Sequence, residues 1–145
     1  MPRVAIVEDD KMNARLFEAV LRRRGGFDVT ITEDVSELLR LAGDGQIDLV
    51  IMDVSLANCE LDGKPIDGLG ITRKIKEDPQ TSSIPVILAT AHAMRGDRER
   101  FLDLSKADDY IAKPIMDQAG LIEKVNAFVQ KRLEAQKQSA AKPVR

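Results

Sequence analysis

The chain has 145 residues, the size of one globular domain with a hydrophobic core of its own. Hydrophobic residues make up 43% and charged residues 32%, a balance that excludes a disordered chain. The formal net charge of −2 and the aromatic content of 3% give no basis for attraction to nucleic acid or to an anionic membrane.

The cellular compartment follows from three features of the sequence. The single cysteine, Cys59, excludes an intramolecular disulfide and fits a reducing compartment. No apolar run approaches the ~20 residues that span a bilayer. Because a strand pattern begins at Arg3, we expect no signal peptide and a cytoplasmic protein.

Short apolar or β-branched runs predict five strands, and the first, third and fourth are apolar nearly throughout. The runs are RVAIV (Arg3–Val7), FDVTI (Phe27–Ile31), DLVIM (Asp48–Met52), PVILA (Pro85–Ala89) and DYIA (Asp109–Ala112). The three apolar runs are typical of central strands in a parallel sheet, buried on both faces. The second and fifth runs are more mixed, and we place them toward the edges.

Segments of helical period alternate with the strands. They are Asn13–Arg24, Asp34–Gly43, Asp67–Glu77, Arg95–Ser105 and Asp117–Leu133, the last being the clearest amphipathic helix. After Leu133 the apolar period is lost, so we predict a domain over residues 1–133 and a frayed or disordered tail over 134–145. Strict alternation of strand and helix predicts an α/β fold with an open, doubly wound parallel sheet.

Ligands of such sheets bind beyond the carboxyl ends of the strands. The first strand is followed by Glu8, Asp9 and Asp10, the third by Asp53, the fourth by Thr90 and the fifth by Lys113. Taken singly, each residue has an ordinary explanation, such as a helix cap, a turn or a solvated surface. Taken together, they predict a site at one edge of the sheet.

The chemistry of that site follows from its charges. Two carboxylates ~4 Å apart repel by about 4 kcal/mol at an effective dielectric of about 20, so the cluster needs a proton or a cation. Oxygen ligands of this kind suit Mg²⁺, which leaves coordination positions for phosphate oxygens. We interpret the cluster as a phosphoryl-transfer site in which Asp53 is the nucleophile.

The stretches VAIVEDD, DLVIMD, PVILATAHAM and DDYIAKPI occur in that order along the chain. Over Arg3–Leu133 the chain resembles the receiver domains of response regulators in two-component signalling, most of all the stand-alone cell-cycle and chemotaxis types. The resemblance implies a flavodoxin-like (βα)5 fold with strand order 2-1-3-4-5. It also implies a single-domain regulator without a DNA-binding output domain.

Residue by residue, the resemblance implies that Asp53 accepts a phosphoryl group from a histidine kinase or a histidine phosphotransfer protein. Mg²⁺ would be bound by Asp9, by Asp53 and by the backbone carbonyl of Ser55, and Glu8 would reach it through water. The chain would catalyse only its own phosphorylation and dephosphorylation.

Three further residues take roles from the resemblance. Lys113 would pair with the phosphoryl oxygens and the carboxylates, and its bond to Pro114 would be cis. Thr90 and Tyr110 would form a switch that alters a protein-binding surface for a downstream protein. The resemblance implies neither direct nucleic-acid binding nor membrane insertion, and a homodimer through the last two helices stays open.

Other interpretations of the site are weaker. An aspartyl-phosphate hydrolase usually carries a second Asp two residues after the nucleophile, and here that residue is Ser55. No phosphate-binding glycine motif follows the first strand. We expect Asp10 to cap a helix, His92 to lie at the edge of the site, and Cys59 to bind no metal.

The clearest departure from the family lies between Asp53 and the third helix. The pair that usually reads Met-Pro is Leu56-Ala57, and roughly seven extra residues follow, more than ordinary connections need. Asp67-Gly68 fits the helix start, which leaves Asp62-Gly63 inside an enlarged loop. We hypothesise that Ala57–Ile66 overhangs the site and tunes either partner choice or dephosphorylation.

Overall fold

The computed structural model describes residues 2–56, 59–91, 96–113 and 115–141, and for residues 137–141 it describes the backbone alone. In chain order the elements are β1 (Arg3–Val7), α1 (Lys11–Gly25), β2 (Asp28–Thr32), α2 (Val35–Gly43), β3 (Leu49–Asp53), β4 (Glu60–Leu61), β5 (Lys64–Pro65), α3 (Gly68–Glu77), β6 (Val86–Thr90), α4 (Asp97–Ser105), β7 (Asp109–Ala112) and α5 (Gln118–Ala141).

Five parallel strands form the main sheet in the order β2-β1-β3-β6-β7. When the two strands of a separate hairpin, β4 and β5, are left out of the count, this is the order 2-1-3-4-5. The prediction of an α/β, flavodoxin-like sheet is therefore confirmed, and so is the placement of the two mixed strands at the edges. The strand bounds differ from the predicted ones by at most one residue.

The central strands are buried on both faces because helices cover both sides of the sheet. Every residue of β3 and β6 is buried. One core cluster joins side chains of the sheet to α1 and α5, and the other joins them to α2, α3 and α4. This two-sided burial explains why these strands read as continuous apolar runs.

Aspartate caps fix where three helices begin. Asp10, Asp34 and Asp67 each accept backbone N–H bonds from the first turn of α1, α2 and α3. Asp34 and Asp67 therefore lie one residue before their helices, whereas the sequence prediction counts them as the first residues of these helices. The predicted capping role of Asp10 is confirmed.

Three further differences from the periodicity concern α1, which spans Lys11–Gly25 instead of Asn13–Arg24, and the helices α4 and α5. Helix α4 begins at Asp97 after the cap residue Gly96, and Arg95 lies outside the described residues. Helix α5 continues past Leu133 to Ala141. Polar residues of good helix propensity continue a helix without an apolar stripe, so the loss of the stripe did not mark its end. The division of the chain at residue 133 stays a prediction.

The enlarged loop after Asp53 contains a β-hairpin over residues 60–65, which the sequence interpretation missed. Strand β4 pairs with β5 in antiparallel fashion around Asp62 and Gly63, whose φ angles are 54° and 77°. Two consecutive positive φ angles are typical of the two-residue turns that match the twist of a hairpin. The Asp-Gly dipeptide was the signal for this turn.

No helix in the described ranges combines the length and the apolar character needed to cross a membrane.

Candidate functional site

The parallel strands bring the predicted side chains to one edge of the sheet. Glu8 and Asp9 follow β1, Asp53 ends β3, Thr90 ends β6, and Lys113 follows β7. All five sit at carboxyl ends of strands, on either side of the switch in strand order.

Lys113 links two of the carboxylates. Its Nζ lies 2.9 Å from Glu8 Oε1 and 3.1 Å from Asp53 Oδ1. Its backbone N–H donates to the Thr90 carbonyl at 2.7 Å, which fixes the lysine beside the end of β6. Because the lysine and both acids are almost fully buried, this ion pair is shielded from water. The predicted pairing of Lys113 with carboxylates of the site is present in the structure.

Backbone contacts hold Asp53 in place. The Ser55 N–H donates to Asp53 Oδ1 at 3.0 Å, a short turn that orients the carboxylate. On the other side, a Cβ placed on Gly68 would lie 1.9 Å from the Asp53 carbonyl oxygen. The first residue of α3 therefore contacts the backbone of Asp53 so closely that only glycine fits.

The shared environment shifts three pKa values. Burial, together with a hydrogen bond between the carboxyl groups of Glu8 and Asp53, raises the pKa of Glu8 to about 7. Burial also opposes ionisation of Asp53, but hydrogen bonds from Glu8 and Ser55 and the charge of Lys113 outweigh it and lower the pKa. Burial likewise opposes the charge of Lys113, and its two carboxylate partners overcome that effect and raise the pKa. Asp53 is thus held ionised, as a nucleophile must be.

Three carboxylates form a group that could hold a metal ion. Oxygen atoms of Glu8, Asp9 and Asp53 lie within 4.8 Å of one another. An all-oxygen donor set at one open end of the sheet fits Mg²⁺ or a similar hard cation. Asp10 is not part of the group because its carboxylate caps α1, accepting the Met12 N–H at 2.9 Å and the Asn13 N–H at 3.1 Å.

Thr90 and Tyr110 occupy different surroundings. Thr90 is buried at the end of β6, next to Lys113. Tyr110 lies on β7, with its ring centroid 6.1 Å from that of Phe101 on α4. Within the described part of the chain, the Tyr110 hydroxyl is buried and has no hydrogen-bond partner. Burial and the charge of Asp97 raise the pKa of Tyr110.

Two predictions fall outside the described residues. These are the position of His92 at the edge of the site and the cis bond between Lys113 and Pro114. Cys59 lies in none of the candidate metal groups among the described residues. It is buried, and its Sγ lies 3.5 Å from the Glu33 carbonyl oxygen.

Comparison with known proteins identifies the family. The sequence profile described as "Response regulator receiver domain" matches residues 4–126. The chain is 37% identical over 116 residues to the polar-differentiation response regulator DivK of Brucella anthropi, a match that covers 79% of this chain and 87% of DivK. It is also 36% identical over 141 residues to hybrid signal transduction histidine kinase I of Dictyostelium discoideum, covering 95% of this chain and 8% of the kinase.

Solved structures give the same result. The receiver domain of sensor histidine kinase PA1611 from Pseudomonas aeruginosa PAO1 superposes with a TM-score of 0.73 at 31% identity, covering 89% of this chain and 98% of that one. That structure holds a magnesium ion coordinated in its active-site cleft. A putative response regulator from Chloroflexus aurantiacus superposes with a TM-score of 0.75 at 26% identity, covering 90% of this chain and 99% of that one.

A five-stranded parallel sheet with an acidic cluster and a lysine at its carboxyl edge defines a signalling domain of the flavodoxin-like class. The chain belongs to the response regulator receiver domain family of two-component systems. The family resemblance predicted from the sequence is confirmed.

Proposed function

We propose that this receiver domain accepts a phosphoryl group on Asp53 from a histidine kinase or a histidine phosphotransfer protein. The proposal includes a cytoplasmic location, where such donors meet ATP. The observation that carries it is the buried contact of Lys113 with Asp53 and Glu8, beside Asp9. This contact supports the proposal because the carboxylate proposed as the nucleophile lies next to a buried lysine and to carboxylate oxygens that could hold a metal ion.

The transfer itself forms one bond and breaks one. A carboxylate oxygen of Asp53 attacks phosphorus, and the bond from phosphorus to the donor histidine nitrogen breaks with its electron pair left on that nitrogen. The imidazole then takes a proton from solvent. Lys113 offsets the negative charge that the phosphoryl group brings to the buried carboxylate.

The donor set fits Mg²⁺, which we propose is held by Asp9, by Asp53 and by the Ser55 carbonyl, with Glu8 reaching it through water. When bound, the ion neutralises charge on the transferring phosphoryl oxygens. Asp9 and Glu8 keep the donor oxygens together, and the buried lysine keeps Asp53 oriented toward them.

Phosphorylation would be converted into binding through Thr90 and Tyr110. The Thr90 hydroxyl would hydrogen-bond the phosphoryl group, and Tyr110 would then change rotamer. Among the described residues the buried Tyr110 hydroxyl has no hydrogen-bond partner, and a hydroxyl in that position costs about 1–3 kcal/mol. This cost supports a resting position from which a small gain would move Tyr110. The changed surface on α4, β7 and α5 would bind a downstream protein or a second copy of the chain.

The test is phosphorylation of the purified chain by acetyl phosphate with Mg²⁺, followed by intact-mass and peptide mass spectrometry. We expect one added phosphate on Asp53 of the wild-type chain. The Asp53→Asn variant should take up no phosphate, and the wild-type chain should take up none when EDTA removes Mg²⁺. Asp10→Asn is the matched control and should still be labelled, because Asp10 caps α1. Absence of uptake by the wild-type chain would refute the proposal, and rapid turnover of a phosphate ester would favour a hydrolase.

A further inference from the structure

The hairpin over residues 60–65 lies in the connection between Asp53, the residue proposed as the phosphoacceptor, and helix α3. On the entry side, only Val54 and Ser55 separate Asp53 from the buried Leu56. On the exit side, Ile66 and Asp67 lead to Gly68, which contacts the Asp53 carbonyl. The connection that carries the hairpin therefore starts at Asp53 and ends in contact with the Asp53 backbone.

The base of the hairpin is built into the fold. Cys59 is buried, and its carbonyl accepts the Ile66 N–H at 3.0 Å, which continues the pairing of the two strands. Leu56 and Cys59 belong to the core cluster on the α2 and α3 side of the sheet, and the partly buried Leu61 and Ile66 pack against it. A two-stranded hairpin is marginal on its own, so this anchoring is what keeps it formed.

The outer part of the hairpin is exposed. Glu60, Asp62, Gly63, Lys64 and Pro65 are all exposed to solvent. Among the described hydrogen bonds and ion pairs, none joins residues 60–65 to Glu8, Asp53 or Lys113. The outer residues of the hairpin are therefore exposed to solvent and, among the described contacts, are not bonded to these three site residues.

An open cleft of about 430 Å³ separates the hairpin from the start of α3. Its lining is Leu56, Cys59, Pro65, Ile66, Asp67 and Gly70. The cleft gives the hairpin a concave, partly apolar flank on the side of the helix that contacts Asp53. Concave surfaces with apolar walls and charged borders are the form that protein side chains fill on docking.

We propose that the hairpin is a docking element for the protein that delivers the phosphoryl group. The inference rests on the proposed function of Asp53. A small phosphodonor needs only to reach Asp53, whereas a protein donor must lay its own surface over the edge of the site to bring a histidine there. Such a surface would meet the exposed hairpin and its cleft, which lie in the connection that follows Asp53. The sequence left two roles open for this loop, partner choice and dephosphorylation, and the geometry points to partner choice.

The experiment compares two kinds of phosphodonor on the full chain. Acetyl phosphate is the small donor, and the protein donors are the radiolabelled histidine kinases and phosphotransfer proteins of the source genome, used as a panel. The variant is Lys64→Glu on the hairpin, and the control is Lys131→Glu on α5. Both lysines are exposed and both changes alter the net charge equally.

We expect Lys64→Glu to slow transfer from the preferred protein donor by about tenfold, as reversal of a charge at a docking surface does, and to leave acetyl phosphate labelling unchanged. Lys131→Glu should change neither rate. A second variant, in which two glycines replace residues 60–65, should lose the preference among protein donors while still being labelled by acetyl phosphate.

Three outcomes would overturn the docking role. Transfer from protein donors at the wild-type rate in both hairpin variants is the first. The second is an equal change with acetyl phosphate, which would mean that the hairpin acts on the chemistry of Asp53. The third is a wild-type chain that no protein donor labels although acetyl phosphate does. Failure of acetyl phosphate to label the wild type refutes the proposed function instead.

Discussion

At the scale of single residues, Asp9 and Asp10 show how neighbouring carboxylates take different roles. The chain turns between β1 and α1, so one side chain lies with Glu8 and Asp53 and the next lies at the helix end. Helix N-termini attract carboxylates through unpaired N–H groups, and Asp10 satisfies two of them. The capping role of Asp10 was predictable from the sequence, and the metal role of Asp9 stays a proposal.

Alanine at Asp9 should therefore affect Mg²⁺ binding, whereas alanine at Asp10 should affect stability. Asp9→Ala should weaken Mg²⁺ binding by at least about tenfold because it removes a proposed ligand. Asp10→Ala should leave Mg²⁺ binding unchanged and lower the free energy of unfolding by about 1 kcal/mol through loss of the cap. Isothermal titration calorimetry and urea denaturation measure the two quantities. Equal losses of Mg²⁺ affinity in the two variants would contradict this assignment.

At the scale of elements, the contact between β3 and α3 sets the geometry around Asp53. Gly68 is the first residue of α3, and its Cα faces the Asp53 carbonyl with no space for a methyl group. The Asp67 cap fixes the start of the helix one residue earlier, where its carboxylate accepts the Gly70 N–H at 2.8 Å. Making room for a larger residue would therefore require displacing this capped helix start or the backbone of Asp53.

Gly68→Ala should lower the free energy of unfolding by about 2–3 kcal/mol, because overpacking against backbone forces the helix or Asp53 to move. It should also slow labelling of Asp53 by acetyl phosphate. The control is Gly43→Ala at the end of α2, where the nearest atom to an added Cβ is 3.9 Å away. That change should be neutral or slightly stabilising. Urea denaturation gives the free energy of unfolding of both variants. Equal values for Gly68→Ala and Gly43→Ala would contradict the close contact between Gly68 and Asp53.

The elements also show how far the sequence could predict the fold. Apolar runs and strand–helix alternation predict the main sheet because burial on both faces removes nearly all polar residues from β3 and β6. The hairpin of four paired residues was missed because Glu60, Lys64 and Pro65 are exposed and carry no hydrophobic alternation. Only Asp62-Gly63 marked it, and the same dipeptide also occurs at the start of α3.

At the scale of the whole molecule, a second buried ion pair lies at the amino ends of the strands, opposite the site at their carboxyl ends. Arg132 of α5 contacts Asp48 Oδ1 at 2.8 Å, and the Arg3 N–H donates to Asp48 Oδ2 at the same distance. The pair joins the last helix to the amino ends of β1 and β3. Sequence periodicity could not predict it, because the partners are 84 residues apart and neither belongs to a motif.

Arg132→Met should lower the free energy of unfolding by about 2 kcal/mol, since it leaves a buried carboxylate with fewer donors. Labelling of Asp53 by acetyl phosphate should persist in the folded variant, because the pair lies at the far edge of the sheet. Lys131→Met, at the neighbouring exposed position, should change neither property. Chemical denaturation measures the free energy of unfolding, and labelling by acetyl phosphate measures phosphorylation of Asp53. An unchanged free energy of unfolding for Arg132→Met would contradict a stabilising role of the ion pair between Arg132 and Asp48.

Burial of Cys59 has a practical consequence for labelling the protein. It is the only cysteine of the sequence, and burial with nearby negative charges from Glu33, Asp9 and Asp53 raises the pKa of its thiol. Maleimide dyes react with exposed thiolates, so the native chain offers them no reactive group. A cysteine introduced at exposed Glu60 could thus carry a single fluorophore without removal of Cys59, and its emission would report each encounter with a phosphodonor in real time.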